Sequence, residues 1–250
     1  MHSNIKTKLT TNNNFNISTI YSNSGGYISL NKNLFSELTN NKFTKLILKE
    51  ATKGTPLIKI GDGNPKVMIL SGIHGNELPP QAASIELYNQ LLNTQINGTI
   101  YLIPFAAPES TMYNVRNFKS KDLNRTSNTK DTIGDTILKT AKKLNIKAIG
   151  DFHSSSINSN PGVEGVFSTM SPEPESHIIA SFIAQNTGCK DLNYKKAGII
   201  FQGALEDESN LRGIPAVTCE VVSTFKTISP GSVEASLNQM RSFLKYFKIL

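Results

Sequence analysis

The chain has 250 residues, of which 38% are hydrophobic, and it carries a formal net charge of +7 with a sequence pI near 9.3. This length suits one large α/β domain or two small ones, and no stretch approaches the ~18 apolar residues of a membrane span. The two cysteines have no C-x-x-C spacing and indicate neither a disulfide framework nor a zinc finger. Residues 1–30 lack the apolar core of a secretory signal, so we expect a cytoplasmic protein.

The positive charge raises the question of a nucleic-acid partner. The lysines are scattered along the chain, without a run of five, an arginine cluster or interleaved aromatic residues. We therefore expect neither a nucleic-acid partner nor a membrane partner, and a basic nucleic-acid-binding protein is kept as a rival. An electropositive pocket that attracts an anionic substrate is the more useful interpretation.

The start of the chain is polar and rich in asparagine. Its short apolar pieces fit edge strands and an irregular arm equally well, so we treat residues 1–40 as part of, or appended to, a catalytic domain at 41–250. The apolar runs 46–48 and 56–60 predict strands, and Gly61–Pro65 predicts a strong turn.

The middle of the chain predicts a β-α-β unit. The apolar run Lys66–Ser71 reads as a buried strand, Pro79-Pro80 and the positions after them predict a helix over roughly 79–93, and Thr99–Ile103 is the next strand. Such a unit makes a parallel pair of strands with a right-handed crossover. Residues 104–130 follow as a long irregular stretch, which in a compact domain is usually functional or disordered.

Strands and helices alternate to the end of the chain, without a break in composition or an internal repeat. Helices are predicted over 131–144, 172–186, 204–212 and 232–247, and strands over 147–153, 162–168 and 215–222. We predict a single α/β domain with a mixed, mostly parallel sheet and helices on both faces.

A histidine and a glutamate follow the central strand. His74 and Glu77 lie on a strand-to-helix turn, which is where open α/β sheets bind their ligands. A spacing of one turn brings the two side chains to the same side, roughly 5–6 Å apart at Cβ, and Gly75 leaves room between them. This motif alone is a weak signal, and a polar turn without a metal is the alternative.

A second histidine could complete a metal site. His2 lies at a polar terminus and His177 inside a predicted helix, whereas His153 ends a predicted buried strand. Because the ends of parallel strands share one edge of the sheet, His74, Glu77 and His153 could form a His₂Glu set with one open position, as in hydrolytic zinc centres. The hypothesis requires the two imidazoles to lie within about 8 Å of each other.

Glu220 is a candidate general base at the end of a third apolar strand. Cys219 and Glu220 are neighbours there, so they face opposite sides of the strand. A carboxylate in this position is costly to bury unless it has a task or a partner. It could take the proton of a water molecule activated by the metal, or it could be an ordinary hydrogen-bonded glutamate at a strand end.

Four short motifs carry a family resemblance. His74–Glu77, Asp122–Arg125, Asp151–His153 and Cys219–Val221 resemble the zinc carboxypeptidase superfamily, and most closely its succinylglutamate desuccinylase/aspartoacylase branch. The resemblance covers roughly residues 55–245, with the motifs in the order that the family has. It implies that His74, Glu77 and His153 bind one Zn²⁺ per chain and that Glu220 is the catalytic base.

The resemblance also implies roles for the residues of the long loop. Arg116 would polarise the scissile carbonyl and hold the developing oxyanion. Asn124 and Arg125 would bind a substrate carboxylate, for which the planar fork of arginine is suited. Asp122 looks like the carboxylate behind His74 that fixes its tautomer.

The sequence departs from the family pattern in the same loop. Ala107–Ser110 replaces Asn-Pro-Asp-Gly, Thr126–Asn128 replaces the Phe-Pro-Gly often seen after Asn-Arg, and the loop around Arg116 differs. No tyrosine is identified that would close over a substrate, and Tyr194 is one candidate.

These observations predict a zinc-dependent hydrolase that cleaves an amide bond next to a free carboxylate. The expected activity is that of an N-acyl amino acid deacylase, with a small carboxylate-bearing amide as the substrate. A metallocarboxypeptidase that removes C-terminal residues from short peptides is the alternative. A metal-binding module without catalytic activity is less expected.

Overall fold

The structure is a computed structural model, and it describes residues 14–250. The strands are β1 (Phe15–Tyr21), β2 (Thr55–Ile60), β3 (Lys66–Ser71), β4 (Thr99–Ile103), β5 (Ala148–Ser155), β6 (Gly165–Thr169), β7 (Lys190–Tyr194) and β8 (Ala216–Val222). The helices are α1 (Lys32–Phe35), α2 (Lys42–Ala51), α3 (Leu78–Leu91), α4 (Pro108–Met112), α5 (Ile133–Leu144), α6 (Glu175–Thr187), α7 (Leu205–Leu211) and α8 (Ser232–Tyr246).

The strands form one mixed sheet in the order β1-β2-β4-β3-β5-β8-β6-β7. The central strands β4, β3, β5 and β8 are parallel to their neighbours in that series, and β6 is parallel to β7. The antiparallel pairs are β1 with β2, β2 with β4, and β6 with β8. The predicted mixed, mostly parallel sheet is therefore confirmed, and the carboxyl ends of β3, β5 and β8 lie side by side.

Helices cover both faces of the sheet, as the alternation of side chains along β3 shows. Val67 and Ile69 belong to a core that includes residues of α2, α3, α6 and α8, whereas Met68 and Leu70 belong to a second core with residues of α5 and α7. Successive residues of a strand point to opposite faces, so a strand that is apolar at every position requires packing on both sides. Within residues 14–250, no helix is long and apolar enough to cross a membrane.

The prediction of a strand at 46–48 is wrong, because these residues lie within α2. The buried positions Thr44, Ile47 and Ala51 are spaced by three and four residues, as one face of a helix requires. Asn41 caps the helix through Oδ1, which accepts hydrogen bonds from two backbone N–H groups of the first turn. The cap and the helical period outweigh the strand preference of the short run Leu46–Leu48.

Other regions contain more structure than the pattern predicts. The stretch 104–130 holds α4 and a 3₁₀ turn at Leu123–Arg125, and the edge strand β7 is mostly exposed and has no apolar run that would predict it. In the asparagine-rich start, β1 pairs antiparallel with β2. Residues 1–13, including His2, lie outside the described residues, and the division of the chain at residue 40 stays a prediction.

We expect Ile69→Ala to lower the free energy of unfolding by about 2–5 kcal/mol, since it removes a fully buried side chain from the centre of β3. Chemical denaturation followed by circular dichroism measures the change. Ile178→Ala is the matched control, because Ile178 is 55% exposed on α6, and it should shift stability by less than about 0.5 kcal/mol. Equal effects of the two substitutions would contradict the assignment of the core.

Candidate metal centre and active site

Three buried side chains converge at the carboxyl ends of β3 and β5. His74 follows β3, Glu77 immediately precedes α3, and His153 lies near the end of β5. The ring centroids of the two histidines are 5.0 Å apart, well inside the limit of about 8 Å that a shared ion imposes. Nδ1 of His74 is 2.8 Å from Oε1 of Glu77, and Nδ1 of His153 is 2.8 Å from Oε2 of the same carboxylate.

The other nitrogen of each imidazole faces a second carboxylate. Nε2 of His74 is 2.9 Å from Oδ1 of Asp122. Nε2 of His153 is 2.9 Å from Oδ2 of Asp151, although the two atoms are not aligned for a hydrogen bond. A carboxylate behind a histidine holds the proton on the outer nitrogen, which leaves the inner nitrogen free to bind a metal. Both Nδ1 atoms are thus turned inward, toward Glu77.

Glu77 is a fully enclosed carboxylate with four neighbouring donors. Besides the two histidines, it accepts hydrogen bonds from the backbone N–H of Ser154 at 3.2 Å and from Arg116 at 3.0 Å. Burial favours the neutral acid, but the charges and hydrogen bonds of His74 and His153 outweigh it and hold the pKa of Glu77 well below its usual range.

The pKa shifts of His153 and Asp122 have the same electrostatic origin. Burial opposes the charge of His153, yet the carboxylates of Asp151 and Glu77 raise the pKa of this histidine well above its usual value. Burial likewise opposes the charge of Asp122, but His74 and Arg116 lower its pKa. The cluster is therefore an electrostatic unit in which negative carboxylates surround the two rings.

The residues of the triad fit a divalent metal ion. One potential ligand atom from each of His74, Glu77 and His153 lies within 4.8 Å of the other two. Two imidazole nitrogens and one carboxylate oxygen are a donor set typical of zinc, and zinc binds each of them at about 2.0–2.2 Å. The three side chains could hold such an ion with modest outward movement from their present hydrogen bonds.

Glu220 lies beside the triad on the neighbouring strand. It is the direct partner of His153 in the parallel pair β5–β8, and its backbone carbonyl accepts a hydrogen bond from Gln239. The side chain is half-buried, and Oε2 is enclosed without a hydrogen-bond partner among the described residues. Burial, followed by the negative charges of Glu77 and Asp151, raises the pKa of Glu220 to about 8. A cation in the centre would act in the opposite direction.

The loop residues also reach the site. Arg116 donates to Glu77 and, through Nε and Nη2, to Oδ2 of Asp122 at 3.3 and 3.1 Å. Asn124 and Arg125 lie on the 3₁₀ turn, which Asp122 begins by accepting the N–H of Asn124. The structure therefore brings together all eight side chains that the sequence singled out, although their chemical roles stay predictions.

A cavity of about 360 Å³ joins these groups. It is lined by His74, Glu77, Arg116, Asn124, Arg125, His153 and Glu220. Phe167, Phe201, Glu206 and Thr218 also line it, and the sequence did not indicate them. Tyr194 does not line the cavity, and its ring stacks on that of Phe167 at 5.9 Å.

Asp151 was missed as a site residue although the sequence contains the signal. It precedes His153 by two positions on a buried strand, so the two side chains share one face. For Phe167, Phe201 and Glu206 no such signal exists, because they reach the site through the antiparallel pairing of β6 with β8 and the packing of α7 on the sheet, which are contacts between elements distant in the chain.

The turn that carries His74 and Glu77 packs tightly against α4. A Cβ atom at Gly75 would come within 2.1 Å of the carbonyl carbon of Ser110. Residue 75 must therefore be glycine for the turn to approach this backbone so closely. The contact fixes the position of the turn that bears His74 and Glu77.

Comparison with known proteins agrees with this geometry. The family model for the succinylglutamate desuccinylase/aspartoacylase catalytic domain matches residues 63–161. The predicted resemblance is confirmed. The matched range contains His74, Glu77 and His153, as well as the loop residues, whereas Glu220 lies beyond it. The family is hydrolytic, and no sequence among the curated proteins matches the chain.

Solved structures of related fold support the architecture. The succinylglutamate desuccinylase/aspartoacylase from Rhodobacter sphaeroides is 14% identical with a TM-score of 0.61, over 78% of this chain and 60% of that chain. The ectoine utilization protein EutE (DoeB) from Ruegeria pomeroyi is 16% identical with a TM-score of 0.62, over 78% and 61%. A metallo-carboxypeptidase from Burkholderia cenocepacia is 13% identical with a TM-score of 0.56, over 77% and 60%. The chain thus spans about 60% of the length of these structures and shares their fold.

We expect the purified protein to bind one divalent metal ion. Loss of a residue that hydrogen-bonds to a metal ligand typically lowers metal affinity by roughly 10–100-fold, and His153→Ala should lower it by more than that. Asp151→Asn should lower the metal affinity by roughly 10–100-fold, since Asp151 lies behind His153. Zinc content by atomic emission and competition with a chromogenic chelator measure both effects.

His177→Ala is the matched control for this measurement. His177 lies on α6, where its Nδ1 contacts Asn193, and it does not line the cavity. Its replacement should leave the metal content unchanged. Equal metal content in wild type and His153→Ala would contradict the assignment of the site.

Proposed function

We propose that the chain is a zinc-dependent hydrolase that cleaves an amide bond next to a free carboxylate, with N-acyl amino acids as its substrates. The observation that carries the proposal is the arrangement around one cavity: a His₂Glu cluster, a half-buried glutamate beside it and two arginines. The match to a hydrolytic family supports it. Zinc bound by the cluster supplies positive charge that polarises a carbonyl group and makes a water molecule more acidic.

Glu220 takes the proton from the attacking water in this proposal. Its enclosed Oε2 has no hydrogen-bond partner among residues 14–250, and the side chain lines the cavity. A base is effective when its pKa lies near the operating pH; burial raises the pKa of Glu220, and the positive charge of a bound metal ion lowers it. The same carboxyl group then passes the proton to the departing amine nitrogen.

Arg116 stabilises the negative charge that develops on the carbonyl oxygen. In the structure its guanidinium is shared between Glu77 and Asp122 at the wall of the cavity. When Glu77 serves as a ligand, the donor that now bonds to it becomes available to a substrate oxygen. A fixed donor aimed at a developing oxyanion is a large contributor to acyl-transfer catalysis.

Asn124 and Arg125 bind the carboxylate of the substrate. Oδ1 of Asn124 already accepts the N–H of Leu205 at 2.9 Å, so the amide group offers its Nδ2 donor to a ligand. The guanidinium of Arg125 lies 5.6 Å from the centre of the Phe201 ring, which supports it from one side. The two side chains line the cavity next to the cluster and offer only donors to an anion.

We expect Glu220→Gln to lower kcat by about 10²–10⁴-fold while the zinc content stays at the wild-type level, because the amide is nearly isosteric but cannot accept the proton. Release of amine from N-acetyl amino acids, with zinc measured on the same samples, tests this. An inactive metal-binding module would show no turnover in the wild type. Turnover that survives the substitution would show that another group is the base.

We expect Arg125→Ala to lower kcat/KM by roughly 10–100-fold for a substrate with a free carboxylate, the loss typical of a hydrogen bond to a charged group. The same substrate as its carboxamide should respond little, since it offers no negative charge to Arg125. Steady-state kinetics on both substrates in wild type and variant make the comparison. An equal loss for acid and amide would contradict a role in carboxylate binding.

Removal of C-terminal residues from short peptides is the second candidate, favoured by the structural likeness to a metallo-carboxypeptidase. A panel with N-acetyl, N-succinyl and aminoacyl groups on one amino acid separates the two activities. The absence of a nucleic-acid partner and the cytoplasmic location stay predictions.

A further inference from the structure

A buried carboxyl group in the wall of the cavity has no part in the proposed chemistry. Glu206 lies in the first turn of α7, only 3% exposed, and lines the cavity. Its Oε1 accepts hydrogen bonds from the N–H and Oγ1 of Thr169 and from Nδ2 of Asn210, at 3.2, 3.0 and 2.9 Å. The second oxygen, Oε2, accepts none from residues 14–250. One half of the group is thus fixed, and its remaining contact is a hydrogen bond shared with the carboxyl group of Asp207, which a cation bound at Glu206 would replace.

Glu206 also lacks a counter-charge. Among residues 14–250, no lysine, arginine or histidine nitrogen lies within 4.0 Å of its carboxylate, as the ion pairs of the structure show. Its sequence neighbour is another acid, Asp207. Burial, and then the charge of Asp207, raise the pKa of Glu206 well above its usual value. An acid buried in this way is costly for the protein unless a cation reaches it.

The position of Glu206 is tied to the residues proposed to bind the substrate carboxylate. Leu205, which precedes it, donates its N–H to Oδ1 of Asn124, and the carbonyl of Gly203 accepts the N–H of Ser127 at 2.9 Å. The segment with Glu206 and the segment with Asn124 and Arg125 are thereby held together by two hydrogen bonds. When Asn124 and Arg125 bind the carboxylate of a ligand, Glu206 therefore lies at a fixed position in the same cavity as the rest of that ligand.

The cavity wall near Glu206 is aromatic. Phe167 and Phe201 both line the cavity, and their rings pack edge to face with centroids 5.7 Å apart. Tyr194 contacts both rings from outside the cavity, at 5.9 and 5.2 Å. Such a wall suits the methylene groups of a long side chain, and aromatic faces attract a cation as well.

We propose that Glu206 binds a cationic group at the end of the side chain of the amino acid that bears the free carboxylate. This inference rests on the proposed function and narrows its substrate class to N-acyl or peptidyl amino acids with an ammonium or guanidinium side chain. The cation keeps Glu206 in its carboxylate form and supplies the missing counter-charge. An acidic side chain in the same place is disfavoured by like charge.

The test compares side chains on one acyl group. N-acetyl and alanyl derivatives of ornithine, lysine and arginine are the cationic substrates, norleucine is the neutral one, and glutamate is the acidic one. Norleucine has a methyl group where ornithine has its ammonium, so this pair isolates the charge. We expect kcat/KM for the best cationic substrate to exceed that for norleucine by roughly 10–100-fold, as one hydrogen bond to a charged group allows.

Glu206→Gln should reduce this preference to within about threefold, chiefly by lowering kcat/KM for the cationic substrates. Glu208→Gln is the matched control, because Glu208 lies on the same helix and outside the cavity wall, and it should keep the wild-type preference. Thermal melting checks that both variants are folded. If Glu206→Gln does not fold, the ratio of kcat/KM for the ornithine and norleucine substrates of the wild type still tests the inference, and equal values would overturn it.

A binding measurement separates failure of this inference from failure of the proposed function. Calorimetry with zinc-loaded protein compares free ornithine, lysine and arginine with norleucine and glutamate. Turnover that depends on Glu220 but favours norleucine or glutamate would overturn the inference and leave the hydrolase intact. If no substrate is turned over, the proposed function fails. The inference would still be supported if the cationic amino acids bind more tightly than the others and Glu206→Gln removes this difference. Equal or undetectable binding of all five would overturn it.

Discussion

The carboxylate of Glu77 is the constraint on which the arrangement of the site depends. A buried negative charge requires donors on all sides, and here they come from separate parts of the chain: His74 from its own turn, His153 and Ser154 from β5, and Arg116 from the long loop. The strands β3 and β5 can supply these groups together only because they are parallel neighbours whose carboxyl ends meet. The sheet topology thus brings together, at the carboxyl ends of β3 and β5, the groups that the buried carboxylate of Glu77 requires.

The cavity divides into two regions of different chemistry. In the first region, the His₂Glu cluster lies beside Glu220 on adjacent parallel strands of the sheet, and these groups suit bond cleavage. The other region is lined by residues of β6, α7 and the segment before α7, and β6 joins the sheet antiparallel to β8. Changes in this second region could therefore alter which substrate is bound without moving the groups proposed to act on the amide.

Much of the fold and most of the first region could be predicted from local patterns. The apolar runs of β3, β5 and β8, each followed by a polar side chain, placed His74, His153 and Glu220 at one edge once the strands were taken as parallel. Asp151 could have been added from its spacing of two residues before His153. The failure at 46–48 shows the limit of this reasoning, since three apolar residues do not distinguish a strand from one face of a helix.

The second region could not be predicted, for a physical reason. In sequence, Glu206 is one of three consecutive acids at the start of a helix, where acidic residues are favoured by the helix dipole and are usually exposed. Its burial follows from the packing of α7 against β5, β6 and β8, a contact between elements distant in the chain. The exposed strand β7 was missed because its neighbour in the sheet, and not its own composition, makes it a strand.

The approach of Gly75 to Ser110 couples the turn that bears His74 and Glu77 to the backbone of α4. The crowded atoms are the carbonyl carbon and oxygen of Ser110 and the following amide nitrogen, so the contact is with main chain. Any residue at 107–110 that keeps this backbone path presents the same surface to the glycine. A side chain at position 75, by contrast, would collide with that backbone, so the turn that bears His74 and Glu77 could keep its place only if the backbone of α4 moved away.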